Sequence, residues 1–183
     1  HHWLRERNPC YALSQIRRRP DSPGFWVVEG FATFVEEGVF DLDTQTWDLF
    51  NERCRSLDMV QALERSGPMY LVDWGRLYAL SQKQFVALGR EQKIPYARRW
   101  SLGFGKASEV RLFYDQAAAT CQYLFHAEKG KHRTALLRYV LDYYTGNEER
   151  LDPKVAFGMT GGELGEKTTA FAKAVARGWR PAK

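Results

Sequence analysis

The sequence predicts a single α+β domain, a small mixed β-sheet flanked by helices. Three observations carry that reading. The chain has 183 residues, close to the ~150-residue norm for one compact domain, and a chain this long buries enough surface to need no disulfide or metal staple. Short apolar, aromatic runs bounded by Gly and Pro alternate with segments whose apolar residues recur at helical spacing. No internal repeat, low-complexity tract or convincing linker divides the chain. Its composition, 44% hydrophobic and 27% charged, excludes intrinsic disorder and collagen-like repetition. No apolar run approaches the ~20 residues of a membrane span, so none is expected.

His1-His2 reads as the stub of a purification tag, and no signal peptide is expected in the residues after it. Arg17-Arg18-Arg19-Pro20 and Asp21-Ser22-Pro23-Gly24 form a basic, turn-rich punctuation mark. Phe25-Trp26-Val27-Val28 then reads as a strand. Asp43 or Thr44 is a candidate cap for a helix through about Leu57, with Trp47, Phe50 and Cys54 at helical spacing. After the turn at Gly67-Pro68, Met69 to Val72 reads as a second strand ending at Asp73. Ser81 and Gln84 match a capping box for a helix that stops near Gln92. The basic stretch from Tyr96 to Lys106 reads as a long loop. Val110 to Tyr114 and Gln122 to Phe125 read as the two strands of a hairpin, joined through Ala-rich residues. Lys131 to Tyr144 is a helix with Leu136, Tyr139, Val140 and Tyr143 on one face, an Arg138–Asp142 pair on another, and Gly146 as its stop. A last helix covers about Glu163 to Arg177, ended by Gly178. Trp26, Trp47 and Trp74 are expected in the core rather than in a ligand cage.

Cys10, Cys54 and Cys121 are widely spaced and odd in number, which argues against a disulfide framework or a zinc site and fits a reducing, cytoplasmic setting. The net charge of +5 is too modest a surplus to name a polyanionic partner. Placement says more than total. In His126-Ala127-Glu128-Lys129-Gly130-Lys131-His132-Arg133-Thr134 a strand is expected to end, a glycine to turn the chain, and a helix to open on basic residues. Cations at a helix N-terminus oppose the macrodipole, at roughly 0.3–1 kcal/mol each when exposed. An anion bound there offsets that cost, because the first N–H groups of the helix point at it. A solvated helix start whose charges happen to cluster is the competing reading. The GxxxxGK[ST] spacing of a Walker loop is absent.

Gly130-Lys131-His132-Arg133-Thr134-Ala135 resembles the nucleotide-binding turn of the ParB/sulfiredoxin superfamily, whose members carry Gly-x-Arg-Arg or Gly-Cys-His-Arg in this place. The resemblance covers roughly residues 69 to 144. Beyond the turn, the whole chain is similar to the Osa/FiwA-type plasmid fertility inhibition family of that superfamily. On this footing residues 1–183 form one ParB/sulfiredoxin-like domain, with a segment at about 1–66 packed on the core at 69–144 and a C-terminal helix at about 163–177. The resemblance implies phosphate contacts from Lys129, Gly130, Lys131, His132, Arg133 and Thr134, with ATP as the nucleotide. It also implies ATPase and DNase activity and a block on plasmid or T-DNA transfer through a type IV secretion system. The partners are then DNA, ATP and a coupling protein or relaxosome component. The location is then the cytoplasm, with peripheral attachment at the inner membrane as an alternative. Lys131 replaces the sulfiredoxin cysteine, so reduction of a sulfinylated cysteine is not expected.

Hydrolysis of a phosphodiester or of ATP calls for a divalent metal, Mg²⁺ or Mn²⁺, or a strong base, together with a cation on the developing charge. Glu128 is the candidate for reaching the metal, His126 for a base, Arg133 for the cation, and Asp73 for a further carboxylate. The metal ligands themselves are not legible. Each candidate has a plainer reading: Glu128 as a solvated carboxylate paired with Lys129 or Lys131, His126 as a packed ring, Asp73 as a turn cap. Lys83 and Arg90 share a face of the Ser81 helix and are weak candidates for phosphate contact. Arg98, Arg99, Trp100 and Lys106 interleave cations with an aromatic ring, which suits a nucleic-acid strand, although Trp100 and Phe104 equally suit anchors of a long loop. The second function class is an interaction protein, a nucleotide-independent inhibitor that occupies a coupling protein or secretion component.

Overall fold

Alanine rather than turn chemistry fills Ala117 to Ala119, and this decides the architecture. A computed structural model of the chain describes residues 21–50, 55–66, 72–91 and 109–181. Helix α1 (Phe25–Glu36) leads into strands β1 (Val39–Asp41) and β2 (Thr46–Asp48). Helices α2 (Arg55–Ser66), α3 (Trp74–Ala79), α4 (Gln82–Glu91) and α5 (Glu109–His126) follow. A 3-10 turn (Ala127–Gly130) joins α5 to α6 (Arg133–Thr145), and α7 (Pro153–Phe157) and α8 (Gly161–Ala176) complete the chain. The molecule is helix-rich, with one small antiparallel sheet among the described residues.

Helix α5 is the central element, packed against by α1, α2 and α8. Leu112, Gln116, Ala119 and Tyr123 recur at helical spacing and are all buried. The expected hairpin over 110–125 is therefore a continuous helix. Alanine has the highest helix propensity and offers no turn geometry, so the stretch read as a loop propagates a helix instead. The strand expected at Phe25–Val28 is also helical. Phe25, Trp26, Val27 and Val28 are all buried, so tertiary burial on several sides overrides a local preference of aromatic and β-branched residues for strands.

The helix expected from Asp43 is a hairpin. The Asp41 carboxylate accepts hydrogen bonds from the N–H groups of Asp43 and Thr44 at 2.9 and 3.2 Å, and Gln45 takes a left-handed φ of 53°. This Asx-type turn captures the backbone before a helix can form. The register pairs Phe40 with Trp47, and the sheet is antiparallel rather than mixed. Trp47 is 59% exposed, so it is not a core residue, whereas Trp26 is fully buried. Of the strand expected at 69–72 only Val72 lies among the described residues, and it is not in a strand. The Gly67-Pro68 turn and the loop over 96–106 lie outside them.

Other expectations hold. The Ser81 N–H donates to Gln84 Oε1 at 2.9 Å and the Gln84 N–H to Ser81 Oγ at 3.3 Å, closing the capping box of α4. Gly146 ends α6 in a left-handed conformation, φ 76°, and Arg138 lies 3.8 Å from Asp142. Helix α8 starts on its own capping box, Thr160 with Glu163. The core closes with the Trp26 ring between Tyr78 and Tyr139, and the Tyr139 hydroxyl donates to the Leu151 carbonyl at 2.6 Å. No helix among the described residues is long and apolar enough to cross a membrane.

Candidate anion-binding site

The link between α5 and α6 is built from an unusual backbone. Glu128, Lys129 and Gly130 are consecutively left-handed, with φ of 49°, 59° and 77°. Glycine enters that region freely, but each non-glycine residue there costs roughly 1–2 kcal/mol. Surrounding contacts must hold them in place. The turn is approached by a helix and not by the expected strand, and it delivers the chain into α6 with no side-chain cap at its start.

What the strain achieves is to aim Glu128 into a ring of donors. Lys131 Nζ lies 3.2 Å from one carboxylate oxygen, and Lys167 Nζ, reaching across from α8, lies 3.6 Å from the other. The Tyr123 hydroxyl donates to the same carboxylate at 3.3 Å, and His132 Nε2 stands 4.0 Å away. The hydrogen bond from Lys131 is the main reason the Glu128 carboxyl titrates below its usual range. Burial pushes the Tyr123 phenol up to about 12, so it remains a donor. His132 is 8% exposed, and its Nε2 has no hydrogen-bond partner. Burial, helped by Lys131 and Lys167, outweighs the pull of the Glu128 charge and holds its imidazole below the usual pKa.

The remaining sequence candidates divide sharply. Arg133 turns away from the ring: its guanidinium stacks 4.4 Å over Phe125, and its Nε donates to the Phe125 carbonyl at 3.3 Å. Lys129 and Thr134 are exposed. His126 packs edge-on to Phe34 and Phe50, and burial keeps its pKa down, which matches the packed-ring reading. Asp73 caps α3 by accepting from the Arg76 N–H at 2.9 Å. Lys83 pairs with Asp21 at 3.4 Å. Arg98, Arg99, Trp100 and Lys106 lie outside the described residues.

Sequence reasoning missed Lys167 and Tyr123, since neither belongs to the turn and only the packing of α8 and α5 brings them there. It also missed a charge network on the opposite end of α5, closed around the buried Asp115 carboxylate. Arg55 lies 3.3 Å from Glu37, 3.2 Å from Asp115 and 3.6 Å from Asp58, and Arg111 adds contacts to Asp58 and Asp115. Burial outweighs these cations, pushing Glu37 up to about 7 and Asp115 to about 6. A carboxyl whose folded pKa is raised binds its proton more tightly in the folded chain than in the unfolded one. Its contribution therefore favours folding as pH falls from about 7 toward the unfolded values of 4.5 for Glu37 and 3.8 for Asp115. The stability difference between the wild-type chain and Glu37→Gln, followed by urea titration, should shift toward the wild type as pH is lowered from 8 to 5. A difference that stays flat over that range would show that Glu37 ionises as it does in water.

No protein-family model, curated protein or solved structure gives a significant match to this chain.

Proposed function

We propose that the turn from Glu128 to Arg133 binds the phosphate group of a nucleotide. One observation carries this: Lys131, Lys167, the Tyr123 hydroxyl and the orphaned His132 nitrogen converge on a single anionic group, at the uncapped start of a helix. That group is at present the chain's own Glu128 carboxylate, whose side chain is 40% exposed. A phosphate that replaced it would inherit two ammonium groups and a phenol donor.

The wider activity implied by the resemblance, a fertility inhibition protein with ATPase and metal-dependent DNase activity that blocks plasmid or T-DNA transfer, rests on this same turn. It requires Arg133 to leave Phe125. A divalent metal does not fit the turn as it is arranged, because its one carboxylate is ringed by Lys131, Lys167 and His132. The engagement of Arg133 with Phe125 favours the second reading, binding without hydrolysis and inhibition through contact with a coupling protein or secretion component.

Titration calorimetry with ATP tests the site. Lys131→Ala and Lys167→Ala should each weaken binding about ten- to a hundredfold, as charge-assisted contacts worth ~1.5–3 kcal/mol predict, and the double variant more. Glu128→Gln, which removes the competing charge, should tighten it. ATP binding that is unchanged in the double variant would refute the assignment.

A further inference from the structure

His132 stands one residue before α6 and is the member of the Glu128 ring that nothing satisfies. It is buried, and its Nε2 has no hydrogen-bond partner, a rare condition for a buried polar atom. The reason lies in the shape of the group at the centre. A carboxylate is planar and has two oxygens. Lys131 takes one at 3.2 Å, and the Tyr123 hydroxyl and Lys167 take the other at 3.3 and 3.6 Å. His132 Nε2 is left 4.0 Å from the oxygen that Lys131 holds, beyond hydrogen-bond distance. A tetrahedral anion in the same place carries further oxygens out of that plane, and so can meet a third direction of approach.

Charge adds to shape. The groups that face His132 are Glu128 on the turn, Lys131 beside it, Lys167 on α8 and Tyr123 on α5. Burial and two ammonium groups, set against one carboxylate, favour the neutral ring. A dianion in place of the carboxylate brings a second negative charge to the same spot, and an opposite charge at that range favours the protonated form. An imidazolium donates from both nitrogens, so the orphaned Nε2 becomes a donor for the added oxygen. We propose that the Glu128 turn selects tetrahedral dianions over planar carboxylates, and that His132 takes up a proton as such an anion binds. The proton comes from solvent and adds to the neutral imidazole, and no bond in the anion is broken. This selectivity rests on the phosphate reading of the turn, to which it adds a ligand shape and a coupled proton.

Sodium sulfate is the probe, because sulfate keeps both charges from pH 8 to 5.5, whereas a phosphate monoester gains a proton near pH 6. Glu128 titrates below its usual range and Tyr123 at about 12, so neither changes charge across that span. The full chain, labelled at the histidine ε1 carbons, is titrated with sulfate at constant ionic strength and followed by NMR. Sulfate should bind about tenfold more tightly at pH 5.5 than at pH 8, a coupling of ordinary size. At pH 7 the His132 signal should move toward its imidazolium position as sulfate is added, and sodium acetate should leave it in place. His132→Gln should bind sulfate with one affinity at every pH; if that variant does not fold, the wild-type His132 signal decides alone. Three results overturn the proposal and leave the phosphate site standing: sulfate binding with His132 still neutral, the same pH dependence in the variant, or ATP that binds where sulfate does not. Acetate that binds as sulfate does removes the selectivity. If neither sulfate nor ATP binds at any of these pH values, the phosphate reading falls and the coupled proton with it.

Discussion

Gly30→Val should destabilise the fold by about 3 kcal/mol or more, the upper end of what overpacking costs. Gly30 lies on α1 where that helix crosses α5. A Cβ there would stand 2.6 Å from both the carbonyl carbon and the carbonyl oxygen of Ala117. These are backbone atoms of the central helix, so no rotamer change relieves the overlap. The two helices must separate, and Trp26 and Phe34, both essentially fully buried on α1, lose their packing. Gly30→Ala sharpens the test. In an exposed helix, glycine to alanine stabilises by roughly 1 kcal/mol; here the smaller variant should still be less stable than the wild type. Urea denaturation midpoints measure both, and a Gly30→Ala chain at least as stable as the wild type would mean that α1 and α5 do not cross at this residue.

The second large effect concerns a single side chain acting as a piece of sheet. Gln116 on α5 is fully buried. Its Oε1 accepts from the Val72 N–H at 2.8 Å, and its Nε2 donates to the Val72 carbonyl at 2.9 Å. Both backbone groups of Val72 are thereby satisfied by one amide, as a neighbouring strand would satisfy them. Gln116→Leu preserves volume but orphans a buried donor and a buried acceptor. At ~1–3 kcal/mol for each unsatisfied group, the expected loss is about 2–6 kcal/mol. Gln116→Glu separates the two bonds: a carboxylate still accepts from the N–H but cannot donate to the carbonyl unless protonated. That variant should recover stability as the solution is acidified. A Gln116→Leu chain within ~0.5 kcal/mol of the wild type, the scatter of ordinary surface changes, would remove this account of how the chain enters α3.

These two residues also mark where the sequence is legible and where it is not. Helix ends written in local chemistry are readable: Ser81 with Gln84 at α4, and the glycines at 146 and 178. Elements decided by what surrounds them are not. Nothing local distinguishes Phe25 to Val28 as helix, because that outcome depends on α5 lying against Gly30. Phe113 and Leu124 look strand-like until the alanines between them are allowed to be helix formers rather than a loop. At the candidate site, the turn at Gly130 and the cluster of cations after it were readable. That Arg133 would bend back onto Phe125, and that Lys167 would arrive from α8, depends on packing between segments far apart in the chain.

The thiol of Cys121 lies in the middle of α5 with no exposure at all, and burial in apolar surroundings drives its pKa upward. A sulfur so placed is chemically silent while the helices stay together. Alkylating reagents reach it only through openings that expose α5, and α5 is the element on which α1, α2 and α8 all pack. Its rate of modification is therefore a clock for opening of the whole fold rather than a measure of thiol reactivity. The buried thiol thus serves as a native reporter of how often this molecule comes apart.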